Sequence, residues 1–264
     1  MLDISSCKSR ESFSKLFIAT LSNATAGGRH NLVTVFGDWL ETATLSLGNV
    51  FLKDPAIELR YQKIAERYGS AFNEFPKLFA ITVAALEFLG DDFLGHVYMS
   101  QEMGNDDAGQ FFTPDCISKV ISEMTFEKSL MREAVERKGY FSAYDPACGG
   151  GVMLIHAFNQ VKSFKEFGSR DFYVEGWDLD FRCVCMTYIQ LSLLGVPAVV
   201  RHMNTLKVEQ YSAWGTPLYY MHNFPFRLSR DRESTQEKAE TVGVTPAVQD
   251  VSKPAQQMLF DIGA

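Results

Sequence analysis

The chain has no surplus of positive charge. Against 32 Asp and Glu stand 25 Lys and Arg, a formal net charge of −7. A uniformly basic surface for gripping polyphosphate is therefore excluded, and any positive surface must be local. There is no C-x-x-C pair either. The five cysteines (Cys7, Cys116, Cys148, Cys183, Cys185) are odd in number and scattered. That spacing argues against a disulfide framework and a zinc site, and fits no metal and a reducing, cytoplasmic setting. Long apolar runs are also missing. Residues 183–200 carry no charge, but Gly195-Val196-Pro197 interrupts them. They read as a buried helix, a turn and a strand, with no membrane role. The N-terminus lacks a charged-then-apolar signal pattern. What remains is an ordinary globular composition, 46% hydrophobic and 22% charged, enough for one moderate domain plus appendages.

What is present centres on Tyr144-Asp145-Pro146-Ala147-Cys148-Gly149-Gly150-Gly151, which an apolar-aromatic run enters and an amphipathic run leaves. This is a strand, a tight glycine turn and a helix. Glycines permit positive φ and the close approach of a ligand, and the next helix offers free N–H groups in its first turn. Asp145 at the strand end would repel a phosphate, so an ammonium, an amine or a ribose hydroxyl suits it better. A plain strand-to-helix turn would look the same. The following strand, Phe172 to Asp178, ends in acids 33 positions after Asp145. That is the length of one βαβ unit, with a carboxylate where nucleoside hydroxyls are held.

Upstream stands Gly109-Gln110-Phe111-Phe112-Thr113-Pro114. In order, G-Q-F-F-T-P, D-P-A-C-G-G-G and G-W-D-L-D resemble the N6-adenine DNA methyltransferases. The likeness is to modification subunits of type I restriction systems and to phage and plasmid methylases, over roughly residues 90–226. It implies a shortened class I, Rossmann-like α/β fold binding S-adenosylmethionine, with DNA as substrate. Under it, Thr113 and Pro114 lie by the methionine end. Asp145, Pro146, Ala147, Gly149 and Gly151 form the cofactor turn, Asp178 takes the ribose hydroxyls, and Asn204 in Asn204-Thr205-Leu206 meets the adenine. Asp180 is the less favoured ribose partner. The family's [D/N/S]-P-P-[Y/F/W] signature is approximated by Asn223-Phe224-Pro225-Phe226 after an expected fourth strand, 218–222. Asn223 and the Phe224 carbonyl would take the amine hydrogens while Phe226 stacks on a flipped base. Phe224 stands where the family has its first proline, so a fixed φ is lost at the carbonyl that must be aimed. An apolar loop after an edge strand is the other reading.

Three regions are expected. Residues 1–100 form a helical layer, with apolar side chains at helical spacing and helix-opening Pro55 and Pro76. Residues 101–226 form the cofactor domain, and 227–264 a charged, flexible tail. No separate recognition region is visible, so DNA recognition falls to a partner protein, or the chain keeps the cofactor site without the reaction. In the tail, Gln256, Leu259 and Phe260 resemble the Q-x-x-L-F peptides that dock on the replication sliding clamp. Alternatively, the same residues fold back on their own domain.

Overall fold

The computed structural model describes residues 3–101, 103, 113 and 115–242, with side chains from 234 onward and at 115 left aside. The described residues up to Ser100 are mostly helical. They form α1 (Arg10–Ala24), α2 (Leu32–Leu52), α3 (Pro55–Tyr68), α4 (Phe75–Leu89) and α5 (Phe93–Ser100). Asp54 caps α3 ahead of Pro55, and Gly90 ends α4 at φ 67°, where a left-handed residue closes a helix without a Cβ clash. Next come α6 (Asp115–Thr125) and α7 (Lys128–Lys138). The βαβαβ unit follows as β1 (Phe141–Asp145), α8 (Val152–Ser163), β2 (Phe172–Asp178), α9 (Phe181–Leu193) and β3 (Ala198–Asn204). No helix among the described residues is long and apolar enough to cross a membrane.

The sheet has the order β1-β2-β3-β4, with the first three strands parallel. This is the shortened, Rossmann-like α/β arrangement. α9 is buried on every side, from Cys183 through Leu191. It lies between β2 and β3 on one side and α2, α4 and α5 on the other, which is why its sequence is apolar nearly all round. One hydrophobic core therefore runs through both the helical layer and the sheet.

The end of the chain departs from expectation. After β3 the backbone turns back, with Val208 at φ 58°, and runs antiparallel to β3 as β4 (Glu209–Gly215). Trp214 from β4 packs beside Tyr188 at 6.0 Å. A Cβ on Gly48 of α2 would stand 3.0 Å from the Trp214 ring, so α2 and β4 pack closely at this glycine. Residues 218–222 are not a strand. They belong to α10 (Pro217–Met221) and its C-cap His222, and the strand that follows β3 is β4, on the free side of β3. Beyond it, α11 runs from Phe224 to Val242 and so includes the start of the charged segment. Gln256, Leu259 and Phe260 lie outside the described residues.

A buried polar node joins the helical layer to the sheet. Gln190 in α9 is fully buried, and its Oε1 accepts from the N–H groups of Phe93 (2.8 Å) and Leu94 (3.0 Å). Its Nε2 donates to Asp92 Oδ1 and to the Gly150 carbonyl, both at 2.8 Å. Asp92 also caps α5 by accepting from Gly95 N at 2.8 Å. Replacing Gln190 with leucine keeps the volume but takes this partner from the Phe93 and Leu94 N–H groups and the Gly150 carbonyl in the interior, where each group left unpaired costs about 1–3 kcal/mol. Gln190→Leu should lower unfolding stability by about 3 kcal/mol, measured by urea denaturation.

Candidate cofactor site at the strand ends

The glycine turn is fixed by contacts from several elements. Gly149 sits at φ 53° and Gly151 at φ 94°, both in the left-handed region that favours glycine. The Gly149 N–H donates to Asp178 Oδ2 at 2.9 Å, and its carbonyl accepts from Thr187 Oγ1 at 2.8 Å. Cys148 N donates to the Trp177 carbonyl at 2.9 Å, and Thr205 Oγ1 donates to the Pro146 carbonyl at 2.8 Å. A Cβ on Gly150 would lie 2.8 Å from Asp92 and 3.0 Å from the Gly95 backbone, and one on Gly151 would lie 3.0 Å from Thr187. At these two glycines the start of α5 and Thr187 of α9 pack closely against the turn.

Asp145, Asp178 and Asn204 close β1, β2 and β3, so the parallel register brings them to one edge of the sheet. Asp145 accepts from Ala147 N at 3.1 Å. Burial pushes its carboxyl up, and the Ala147 bond only partly opposes that. Burial also raises Asp178, against hydrogen bonds from Asp180 N and Gly149 N and with further upward pushes from Asp180 and Asp145. Among the described residues no salt bridge joins a cation to either carboxylate. Asp180 is committed elsewhere. It caps α9 through Arg182 N and pairs with the Arg182 guanidinium at 2.9 Å. Asn204 Oδ1 accepts from Lys207 N at 3.1 Å, bracing the hairpin. The Cys148 thiol is pushed well up by burial and is no nucleophile at neutral pH. Tyr144, half-exposed, meets the Trp177 ring edge-on at 4.6 Å beside Asp145. Thr113 is exposed; Pro114 and 109–112 lie outside the described residues.

Asn223, Phe224, Pro225 and Phe226 are not brought to this edge. β4 delivers the chain to the starting ends of the parallel strands, where Thr216 N donates to the Ala198 carbonyl at 2.9 Å. There His222 Nδ1 lies 3.2 Å from the Ser169 carbonyl, just before β2. Arg227 donates to the Arg170 carbonyl (2.7 Å) and the Gly139 carbonyl (2.6 Å), just before β2 and β1. A strand of this length separates the two ends by about 20 Å. Asn223 is exposed at φ 56°. Phe224 is fully buried, stacked on Tyr173 at 5.4 Å and edge-on to Tyr140 at 5.5 Å, with the Arg227 guanidinium 4.3 Å from its ring. A proline there would forfeit those ring contacts, which gives Phe224 a packing reason. Phe226 projects into solvent at 60% exposure.

Sequence reasoning missed Asp92, Thr187 and Gln190. The available signal was Thr187 and Gln190 amid a mostly apolar helix, and the Asp91-Asp92 pair after the glycine stop of α4.

Among curated proteins none matches the chain. A structure described as a class I S-adenosylmethionine-dependent methyltransferase from Listeria monocytogenes is 16% identical with a TM-score of 0.40. It shares 75% of this chain and 54% of its own. The type I restriction-modification system methyltransferase subunit from Streptococcus thermophilus is 13% identical with a TM-score of 0.38, over 75% of this chain and 59% of its own. The chain thus spans little more than half the length of either. The family model for N-6 DNA Methylase matches residues 89–253, from the end of α4 past the last described residue of α11, and the chain belongs to the N-6 DNA methylase family.

Proposed function

We propose that this chain binds S-adenosylmethionine at the C-terminal edge of its parallel strands and serves the methylation of adenine N6 in DNA. The observation that carries the reading is the pair of burial-raised carboxylates, Asp145 and Asp178, on adjoining strand ends around a braced turn. Burial without a salt-bridged cation makes this edge a site for a positively charged ligand bearing hydroxyl donors, and a sulfonium amino-acid nucleoside is such a ligand. Bound there, it supplies an electrophilic methyl group. Asp145 would offset its positive charge. Asp178 uses its oxygens on the Gly149 and Asp180 N–H groups and keeps lone pairs to accept from ribose hydroxyls. Asn204 would meet the adenine, Pro146, Ala147, Gly149 and Gly151 would supply the backbone wall, and Thr113 with Pro114 the methionine end. A recognition partner, or the segment holding Gln256, Leu259 and Phe260, would bring an acidic chain to DNA.

A second reading is favoured by one observation: Asn223–Phe226 stands at the far end of the sheet from the carboxylates. In it the chain is a cofactor-binding accessory or anti-restriction factor without turnover.

Calorimetry with the full chain should detect S-adenosylmethionine binding. Asp145→Ala should weaken it at least about tenfold, a loss of roughly 1.4 kcal/mol, and Asn223→Ala should leave it unchanged. No binding by folded wild type at millimolar cofactor would overturn the proposal. Direct detection of N6-methyladenine in host DNA after overexpression separates the two readings, because binding without methylation selects the second.

The apo protein should also register the burial of Asp145. Its folded carboxyl lies above the ordinary 3.8, so stability linked to that proton is full below pH 3.8 and is lost as pH rises through the folded value. Asp145→Asn should therefore raise the thermal midpoint of ligand-free protein at pH 7. The gain should vanish towards pH 3.8, and saturating cofactor should reverse the order at neutral pH.

A further inference from the structure

Half of the twelve arginines are ion-paired, and the division is spatial. Arg10, Arg60, Arg67, Arg132, Arg182 and Arg201 each face a carboxylate. Of the other six, Arg29 lies in the turn before α2. The remaining five are at the starting ends of the parallel strands: Arg137 in the last turn of α7, Arg170 just before β2, and Arg227, Arg230 and Arg232 on α11. Lys138 stands with them, and among the described residues none of these six cations has a salt-bridged carboxylate. Arg227 does the gathering. Its guanidinium donates to the carbonyls of Gly139 at 2.6 Å and Arg170 at 2.7 Å, which ties α7, the turn before β2 and α11 together at one point.

At about 100° per residue, Arg230 falls about 60° round α11 from Arg227 and one turn on, so the two are neighbours, whereas Arg232 falls on the other flank. Arg137, Arg170 and Arg230 are exposed. Two acids close by are held locally: Asp231 accepts from the Tyr140 hydroxyl at 2.5 Å, and Asp171 accepts from Gly168 N at 2.8 Å. Exposed Glu136 and Glu233 stand at the margin and form no ion pair among the described residues. Burial pushes the Arg227 guanidinium and the Lys138 ammonium down, and Arg230 and Arg137 respectively add to that against the opposing pull of Asp231. A chain of net charge −7 thus keeps a self-repelling group of cations at one end, complementary in charge to a polyanion, and the arginine fork suits phosphate oxygens. We propose that Arg137, Lys138, Arg170, Arg227 and Arg230 form a contact for the phosphate backbone of duplex DNA. The choice of DNA among polyanions rests on the function proposed above. The surface lies about 20 Å from the carboxylate edge, so DNA held here is tethered to the chain without its bases meeting the glycine turn.

Fluorescence anisotropy of a labelled duplex, titrated with the full chain, tests this. Cofactor is omitted, so the result is independent of the strand-end site, and circular dichroism confirms that each variant is folded. At about 50 mM salt wild type should bind at micromolar concentration, with log affinity falling against log salt at a slope of about −4. Arg230→Glu should weaken binding at least about tenfold and flatten the slope by about one or more, while Arg230→Lys, which keeps the charge, should stay within about threefold of wild type. Arg29→Glu makes the same change in net charge at the opposite end of α2 from Phe51, which stacks on Tyr220 of α10; it should bind as wild type does. No anisotropy change up to about 100 µM chain, or a slope near zero, would overturn the proposal. Equal losses in Arg29→Glu and Arg230→Glu would overturn it too, since net charge alone would then govern binding. So would cosedimentation with phosphatidylglycerol vesicles that the duplex does not compete away.

Discussion

The buried side chain of Gln190 holds the two halves of this molecule in one register. Its amide accepts at the start of α5 and donates to both Asp92 and the glycine turn. A buried amide with both ends satisfied specifies geometry more sharply than apolar packing, because a small displacement leaves donors and acceptors unpaired. The helical layer therefore reaches the site directly. Asp92 and Gly95 press against Gly150, Thr187 presses against Gly151 and holds the Gly149 carbonyl, and Asp178 holds the Gly149 N–H. Residues at the start of α5 and from α9 and β2 thus converge on three glycines. Little of the turn's shape is left for a ligand to organise, which lowers the ordering cost of binding.

The same turn carries an electrostatic cost. Asp145 and Asp178 end neighbouring strands, part-buried; burial raises the proton affinity of both, and Asp145 pushes that of Asp178 up further. Elsewhere on the sheet a buried acid is neutralised. Glu175 is pushed up by burial, but Arg201 beside it, with hydrogen bonds from Trp177 and Tyr173, brings it below its ordinary value. Two acids on one strand, three residues apart, are therefore treated oppositely: Glu175 has a guanidinium at 2.5 Å, while Asp178 has only N–H groups. Uncompensated burial of charge clusters at sites that act on ligands, which is why the strand ends, and not the Glu175–Arg201 face, carry the functional reading.

Much of this was legible in advance. The helices of the first hundred residues, β1 to β3 and the glycine turn follow from periodicity, proline and glycine punctuation, and βαβ spacing, which are local signals. The Gln190 node was not legible, because its partners lie nearly a hundred residues apart in sequence. A polar residue in an apolar helix announces that a partner exists without naming it. β4 was missed for a different reason. Glu209–Gly215 is half polar, while Leu218-Tyr219-Tyr220-Met221 has higher strand propensity. Pro217 at the first helical position and a docked Tyr219 ring, stacked on Phe224 at 6.4 Å, decide that segment instead. Tertiary packing overrode propensity there.

That substitution of β4 for the expected strand has the largest consequence for function. A strand crossing over to the free side of β1 would end at the same edge as Asp145 and carry Asn223 to the glycine turn. A hairpin returning along β3 ends at the opposite edge and carries Asn223 there. The choice is anchored by Trp214 against Gly48 and Tyr188, by Thr216 bonded to both Ala198 and Val196, and by Phe224 in its ring of Tyr140, Tyr173 and Tyr219. These contacts are buried and mutually supporting, so moving Asn223 to the other edge would mean dismantling a small core. Phe224, which looks like a lost proline from the sequence alone, is the centre of that core. In this fold Phe224 of the N-F-P-F segment is held by packing, at the opposite end of the sheet from the carboxylates of Asp145 and Asp178.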